Sequence, residues 1–351
     1  MKLRTILLGA REHNASDVHI LVGFPPMFRI GGDIVATKGG PMSTELIDAM
    51  IRDSLVDEQI ARLNAAWQLC ASVIYPEVGR SRMTVYKRNG VFELAIRMSE
   101  PVVRTRQQLG LPTIVDDLAR KTQGLVILTG PTGVGKTTTL HYMLDLINAE
   151  RPCKVITIED PIEYVHSFKR AIVVQQELLA DVLDYSSALR HVLRQDPDVV
   201  AVGEMRDRDT IYTALMAAET GHLVIATLHT PGAVDVVQRM VSAFPDGQQH
   251  EIRYMLANTL QGVVAQQLLP RATSKGVVLA AEVLMGIQSV RHHIRDNAAH
   301  QLYSEMQSGK RHGMMTLDHT LIELYQAGEI TYDTAMTYAR HPENLKKKAG
   351  A

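Results

Sequence analysis

The order of apolar and polar positions changes character near residue 114 of the chain. Before it the signals are mixed. The run "TILLGA" follows Lys2 and Arg4 and is stopped at once by Arg11-Glu12. It is too short for the apolar region of a secretory signal, about 7–15 residues, and reads as a first helix. "VHILV" and "MFRI", around Gly31-Gly32-Asp33, read as strands, "STELIDAMIRDSLVDEQIARLN" as a helical stretch, and the chain up to Met98 as strands again. That mixture predicts a small α+β domain. "SEPVVRTRQQLGLP", punctuated by Pro and Gly, reads as a linker.

From Ile114 the pattern becomes an alternation. "GLVILTG", "KVITIED", "VVAVGE" and "HLVIATLHT" are short apolar runs with helical segments between them. Continuous apolar strands of this kind predict a parallel sheet covered on both faces. "DTIYTALMAAETG" places Ile211, Leu215 and Ala218 on one helical face and is closed by Gly221. Beyond Ser289 the chain is rich in Met, His and Leu and helical in pattern, and Lys346-Lys347-Lys348 reads as a solvated tail. The expected organisation is an N-terminal domain over 1–99, a linker over 100–113, an α/β core over 114–288 and a helical region over 289–351.

Composition narrows the class. With 351 residues, 46% hydrophobic and 21% charged, the chain has the profile of a soluble protein of about two domains. A formal net charge of −1 gives no general reason to expect nucleic acid or an anionic membrane as partner. No apolar run approaches the roughly 20 residues that span a bilayer. Cys70 and Cys153 are the only cysteines, too few for a Cys-ligated zinc site or a disulfide framework, which fits a reducing compartment.

The strongest chemical signal is G-x-x-x-x-G-K-T: Gly130, Pro131, Thr132, Gly133, Val134, Gly135, Lys136 and Thr137, with Thr138 following. Glycines let backbone N–H groups turn toward phosphate oxygens, Lys136 reaches the β- and γ-phosphates, and the Thr137 hydroxyl can ligate Mg²⁺. An apolar strand precedes the loop and a helix follows, adding its dipole. Hydrolysis also needs carboxylates at strand ends. "VITIEDPIEY" supplies Glu159, Asp160 and Glu163, and "VVAVGEMRD" supplies Glu204.

Two further features need an account. Asn89-Gly90 signals a type I′ hairpin in which paired positions sum to 179, so Arg82 faces Arg97. One face should bury Met83, Val85, Phe92, Leu94 and Ile96; the other carries Arg82, Thr84, Tyr86 and Arg88 against Val91, Glu93 and Arg97. Facing like charges destabilise a hairpin by up to about 1 kcal/mol, and a nucleotide triphosphate lodged between the arginines would relieve that repulsion. His222 and His229 bracket the last apolar run at an odd spacing, so a continuous strand points them to opposite faces and makes a shared metal ion a poor reading. Each is then either a core residue or a sensor of something bound near its own end.

These motifs resemble those of the secretion and type IV pilus motor ATPases, and most closely the retraction branch. "ASDVHILVGFPPMFRIGGDIV" is similar to the start of the family's N-terminal domain, "GPTGVGKTT" to its Walker A element, "ITIEDPIEY" to its Asp box, "VGEMRD" to its Walker B and "TGHLVIATLHT" to its His box. The resemblance implies a RecA-like P-loop ATPase domain with a smaller PAS-like N-terminal domain, in a homo-hexameric ring with ATP and Mg²⁺ between domains. Carried onto this chain, Lys136 holds phosphate, Thr137 and Glu204 hold Mg²⁺, Glu163 is the general base, His222 and His229 sense the γ-phosphate, and Arg82 and Arg97 reach the nucleotide. It also implies retraction at the cytoplasmic face of the inner membrane, with a pilus platform protein and a paralogous motor as partners, no nucleic acid, and membrane association through partners only. Two cysteines cannot make the tetracysteine zinc element of extension members. The retraction segment "AIRNLIRE" corresponds to Ser289–Asp296, where the Asn-Leu pair is replaced by His292-His293. Pilus assembly, type II or IV secretion, and a poorly hydrolysing scaffold that modulates another motor stand as alternatives.

Overall fold

The structure is a computed structural model that describes residues 2–99, 102–273 and 276–349. Contacts divide it into two units: Met1–Val102 together with Pro161–Val165, and Val103–Asp160 together with His166–Ala351. Each is described by itself.

The N-terminal unit runs α1 (Leu3–Glu12), β1 (Asp17–Ile20), β2 (Met27–Ile30), β3 (Asp33–Ala36), α2 (Thr44–Ser54), α3 (Asp57–Ala66), β4 (Gln68–Tyr75), β5 (Gly79–Arg88) and β6 (Val91–Met98). "TILLGA" is indeed helical: Leu3, Ile6, Leu7 and Ala10 recur at helical spacing and are buried. The long helical stretch is two helices, broken where Leu55 and Val56 turn extended. The six strands form one antiparallel sheet in the order β3-β2-β1-β6-β5-β4.

The hairpin register is as expected. Asn89 and Gly90 both have positive φ, 51° and 86°, and Arg88 pairs with Val91 and Arg82 with Arg97. Two details are corrected. Glu93, expected on the polar face, is fully buried and takes a two-pronged ion pair from Arg88 at 2.6 and 2.8 Å, while Phe92 is only half-buried. The two facing arginines also have partners on the neighbouring strands. Arg97 Nε donates to Asp17 Oδ1 at 3.1 Å on β1, and Arg82 Nε turns the other way, 3.0 Å from Cys70 Sγ on β4. Strands on either side of the hairpin draw the two guanidinium groups apart.

The larger unit begins inside the expected linker. Glu100 and Pro101 lie outside the described residues; beyond them α4 (Arg106–Leu109) is capped by Thr105, and Leu111 is buried. There follow α5 (Ile114–Ala119), β7 (Gly124–Thr129), α6 (Lys136–Glu150), β8 (Lys154–Glu159), β9 (Ile172–Glu177), α7 (Tyr185–Val192), β10 (Val199–Val202), α8 (Arg208–Glu219), β11 (Leu223–Thr227), α9 (Ala233–Ser242), α10 (Asp246–Thr259), β12 (Leu260–Pro270) and β13 (Val277–Met285). The chain ends in α11 (Gln288–Arg295), α12 (Leu302–Ser308), α13 (Leu317–Gln326), α14 (Tyr332–Tyr338) and α15 (Pro342–Ala349). The lysine tail thus belongs to a helix, with Lys346 paired to Glu343; the side chains of Lys347 and Lys348 lie outside the described residues.

The seven strands are ordered β13-β12-β7-β11-β10-β8-β9, all parallel except the β12/β13 pair. The sheet is covered on both faces. Along β7, Leu125 and Ile127 enter the core formed with α7 to α11, while Val126 and Leu128 enter the core formed with α5 and α6. All four are fully buried, each contributing about 1.5–3 kcal/mol of apolar burial. This is why the strand sequences lack polar alternation. Gly221, with φ 105°, follows Thr220 at the end of α8 and turns the chain into β11. Since β7, β8, β10 and β11 are parallel, their C-terminal ends open on one edge, where ligands of open α/β sheets bind.

Candidate nucleotide site at the strand ends

The phosphate loop connects β7 to α6. Gly130 has φ 129°, and a Cβ there would lie 2.3 Å from the Gln266 carbonyl oxygen on β12. Only glycine lets the loop leave the sheet so close to a neighbouring strand. Gly133 and Gly135 have φ 84° and 88°, and Gly135 is the N-cap of α6. No side chain caps that helix, and its first turn carries no acidic residue. The N–H groups at its start, which include those of Lys136, Thr137 and Thr138, are therefore left to an anion. Gly130→Ala is expected to destabilise the fold by at least about 2 kcal/mol and to weaken nucleotide binding, read by thermal melting and titration with a fluorescent nucleotide.

Lys136 is buried, and its ammonium donates to the Gly130 and Pro131 carbonyls, both at 2.8 Å. His229 Nδ1 stands 3.2 Å from the same nitrogen. Burial pulls the Lys136 ammonium below its usual range, against the opposing pull of the Glu204 charge. Glu204 follows β10 and Gly203, where a Cβ would come 3.1 Å from both the Ile158 carbonyl and the Tyr185 hydroxyl. Glu204 Oε1 lies 3.1 Å from His229 Nε2, and Oε2 accepts from Arg206 Nε at 2.7 Å. Arg206 also reaches toward Asp160, at 3.9 Å.

His229 thus bridges carboxylate and ammonium. An imidazole protonated on Nε2 donates to Glu204 and accepts from Lys136 through Nδ1, so the neutral ring suits both neighbours. Its place is fixed by Thr230, whose N–H donates to Thr129 Oγ1 at 2.9 Å, tying the end of β11 to the end of β7. Thr129, Thr230 and Arg206 had escaped notice as site residues. Arg206 was the more legible of these, as a cation two positions beyond a strand-end carboxylate.

The structure therefore brings Lys136, Glu204 and His229 together at one edge of the sheet. His222 is not among them. It precedes β11, while His229 follows it, so about 20 Å of extended chain separates the two. His222 Nδ1 sits 2.9 Å from the Ala217 carbonyl and 3.2 Å from Thr220 Oγ1, at the end of α8. The expectation that it lies beside the γ-phosphate is corrected for a site within one chain: the strand is five residues long, and its two ends are opposite edges of the sheet.

Glu163 belongs to Pro161–Val165, the segment grouped with the N-terminal unit. Arg82 and Arg97 also belong to that unit. Glu159 points elsewhere: it is buried and accepts from Thr157 Oγ1 at 2.5 Å and Gln175 Nε2 at 2.9 Å. Thr137 is half-buried on the first turn of α6. Its hydroxyl and the Glu204 carboxylate are hard oxygen donors of the kind Mg²⁺ takes, and each carboxylate oxygen keeps a lone pair beyond its present contact.

On α11, Arg291 donates to the carbonyls of Gly286 at 2.6 Å, Leu260 at 2.9 Å and Asn258. It closes the C-terminus of α10, and burial lowers its pKa. His292 is exposed on the surface of α11, whereas His293 is largely covered and lies 3.2 Å from Glu305. No described helix is long and apolar enough to cross a membrane.

Comparison with known proteins agrees with this fold. The chain is 39% identical over 345 residues to the type IV pilus retraction ATPase PilT of Pseudomonas aeruginosa, covering 98% of this chain and 100% of that one. It is 34% identical over 347 residues to the type IV pilus ATPase PilU of the same organism, covering 99% and 91%. Among solved structures, the crystal structure of the pilus retraction motor PilT with bound ADP superposes with a TM-score of 0.93 at 40% identity, covering 99% of each chain. Residues 106–349 match the family described as type II/IV secretion system protein. On its matched residues and its full-length relatives, the chain belongs to the type II/IV secretion system protein family.

Proposed function

We propose that this protein is a ring-forming motor ATPase that hydrolyses ATP to retract a type IV pilus. The observation that carries the reading is the joining of Lys136, His229 and Glu204 at the mouth of an uncapped helix N-terminus, in a chain similar over its length to a pilus retraction ATPase. Water attacks the γ-phosphate in line, Glu163 takes its proton, and Lys136 with Arg82 and Arg97 stabilises the charge on the transferring phosphoryl group. Thr137 and Glu204 would hold Mg²⁺, which neutralises β- and γ-oxygens when bound. His229, touching both the lysine and the Walker B carboxylate, exchanges one of these partners when phosphate arrives. A homo-hexamer at the cytoplasmic face of the inner membrane, acting on a platform protein beside a paralogous motor, completes the reading.

The N-domain arginines are tested by Arg82→Ala and Arg97→Ala. Each is expected to lower ATP turnover at least about tenfold without lowering the melting temperature, since Asp17 retains Arg29 at 3.9 Å when Arg97 is removed. Unchanged turnover in both variants removes the arginines from the site. The direction of force is tested by counting surface pili in a strain carrying Lys136→Ala.

A further inference from the structure

The helix that begins at the phosphate loop carries a second, buried polar row. His141, Asp145 and Asn148 recur at i, i+4 and i+7 on α6, and His141 and Asn148 are fully buried. Such a row inside a core is costly unless it is paired. Its partners are the end of β8 and the chain just past residue 165. His141 Nε2 lies 3.1 Å from Glu159 Oε2, within ion-pair distance. His141 Nδ1 is 2.9 Å from His166 Nε2, and the two rings stack. His166 Nδ1 faces Asp145 Oδ1 at 3.8 Å. Asn148 Nδ2 donates to the Ser167 carbonyl at 2.8 Å and its Oδ1 accepts from the Lys169 N–H at 3.2 Å.

These atoms face one another in sequence and do not converge on a common point, so they are a chain of contacts. What the chain encloses is specific. Glu159 and His166 flank the segment 160–165, which carries Glu163. Gln175 on β9 joins the same two flanks from the other side, its Nε2 donating to Glu159 and its Oε1 accepting from the His166 N–H at 3.0 Å. Burial pushes the Glu159 carboxyl up, but His141, Thr157 and Gln175 together hold it below its ordinary value, so it is a buried carboxylate stabilised by the group that also grips His166.

We propose that His141 is a positioning residue: by holding Glu159 and His166 together it clamps both ends of the 160–165 segment to the phosphate-loop helix and thereby fixes Glu163 for catalysis. This rests on the reading of Glu163 as the general base.

The test is a double-mutant cycle in the full-length protein between His141→Leu and Glu163→Gln, read by single-turnover ATP hydrolysis, with amide exchange of residues 160–166 measured alongside. The expected result is a loss of kcat of about tenfold for His141→Leu, with KM for ATP within about twofold, and a loss below about twofold when Glu163→Gln is already present. Amide exchange across 160–166 should speed up, and His141→Gln, which keeps a donor and an acceptor, should restore most of the rate. An equal loss in both backgrounds, or unchanged exchange, overturns the clamp while leaving Glu163 as the base. Wild-type turnover in Glu163→Gln alone overturns the base assignment and, with it, the route through which His141 acts; faster exchange in His141→Leu then still reports the hold itself. If His141→Leu does not fold, Gln175→Leu releases the same two flanks from β9 and is read in the same way.

Discussion

Purified Lys136→Ala protein is expected to hydrolyse ATP at least about a hundredfold more slowly than wild type, with little change in melting temperature. Two carbonyls and one imidazole nitrogen hold the ammonium, and among the described residues no carboxylate lies within ion-pair distance of it. Its charge is therefore oriented and partly desolvated without being neutralised, so a phosphate becomes its first anionic partner. Loss of the side chain removes this preorganised charge, while Pro131, Thr132 and Gly133 remain exposed to water and keep their hydration. In a strain carrying the change at the native locus and at normal protein level, excess surface pili with lost twitching is the outcome for a retraction motor. A bald surface would assign the motor to assembly. Wild-type turnover no faster than that of the variant would instead mark a scaffold that binds nucleotide and modulates a second motor.

Glu163→Gln should leave nucleotide affinity within a few-fold of wild type and lower kcat by about 10²–10⁴. Glutamine preserves shape and hydrogen-bonding reach but cannot take the proton of the attacking water, so the loss falls on the chemical step. A KM effect with unchanged kcat would place Glu163 in binding, and no effect would move the base elsewhere. The comparison with Lys136→Ala is informative because the two residues act on opposite ends of one displacement: one on the leaving phosphate charge, the other on the nucleophile.

Local chemistry was legible wherever a few neighbouring residues decide it. The glycine and lysine spacing of the phosphate loop, the four apolar parallel strands and the Asn89-Gly90 register all follow from short-range rules. Features set by a third strand were not. Arg82 facing Arg97 suggested a missing anion because nothing in the hairpin's own sequence shows that β1 brings Asp17 beside Arg97. Likewise β12 follows α10 with no residue between them, so no Gly or Pro separates helix from strand, and the β12/β13 hairpin gave no local boundary signal at its start. His222 misled for a simpler reason: its place beside the γ-phosphate was implied by the family resemblance alone, whereas it precedes β11, at the end of the strand away from the phosphate loop. The buried row of His141, Asp145 and Asn148 was invisible as a row until the segment after His166 was seen lying against it.

The grouping of Pro161–Val165 with the N-terminal unit bears on how such a protein can be divided in evolution. The chain leaves the larger unit after Asp160, contributes five residues to the smaller one and returns at His166, and Ile162 and Tyr164 are both buried. A gene break at the end of the first unit would separate these five residues, the proposed base among them, from the unit with which they are grouped. The first unit is thus discontinuous in sequence, and exchange of one N-terminal unit for another has to carry along a segment about sixty residues downstream.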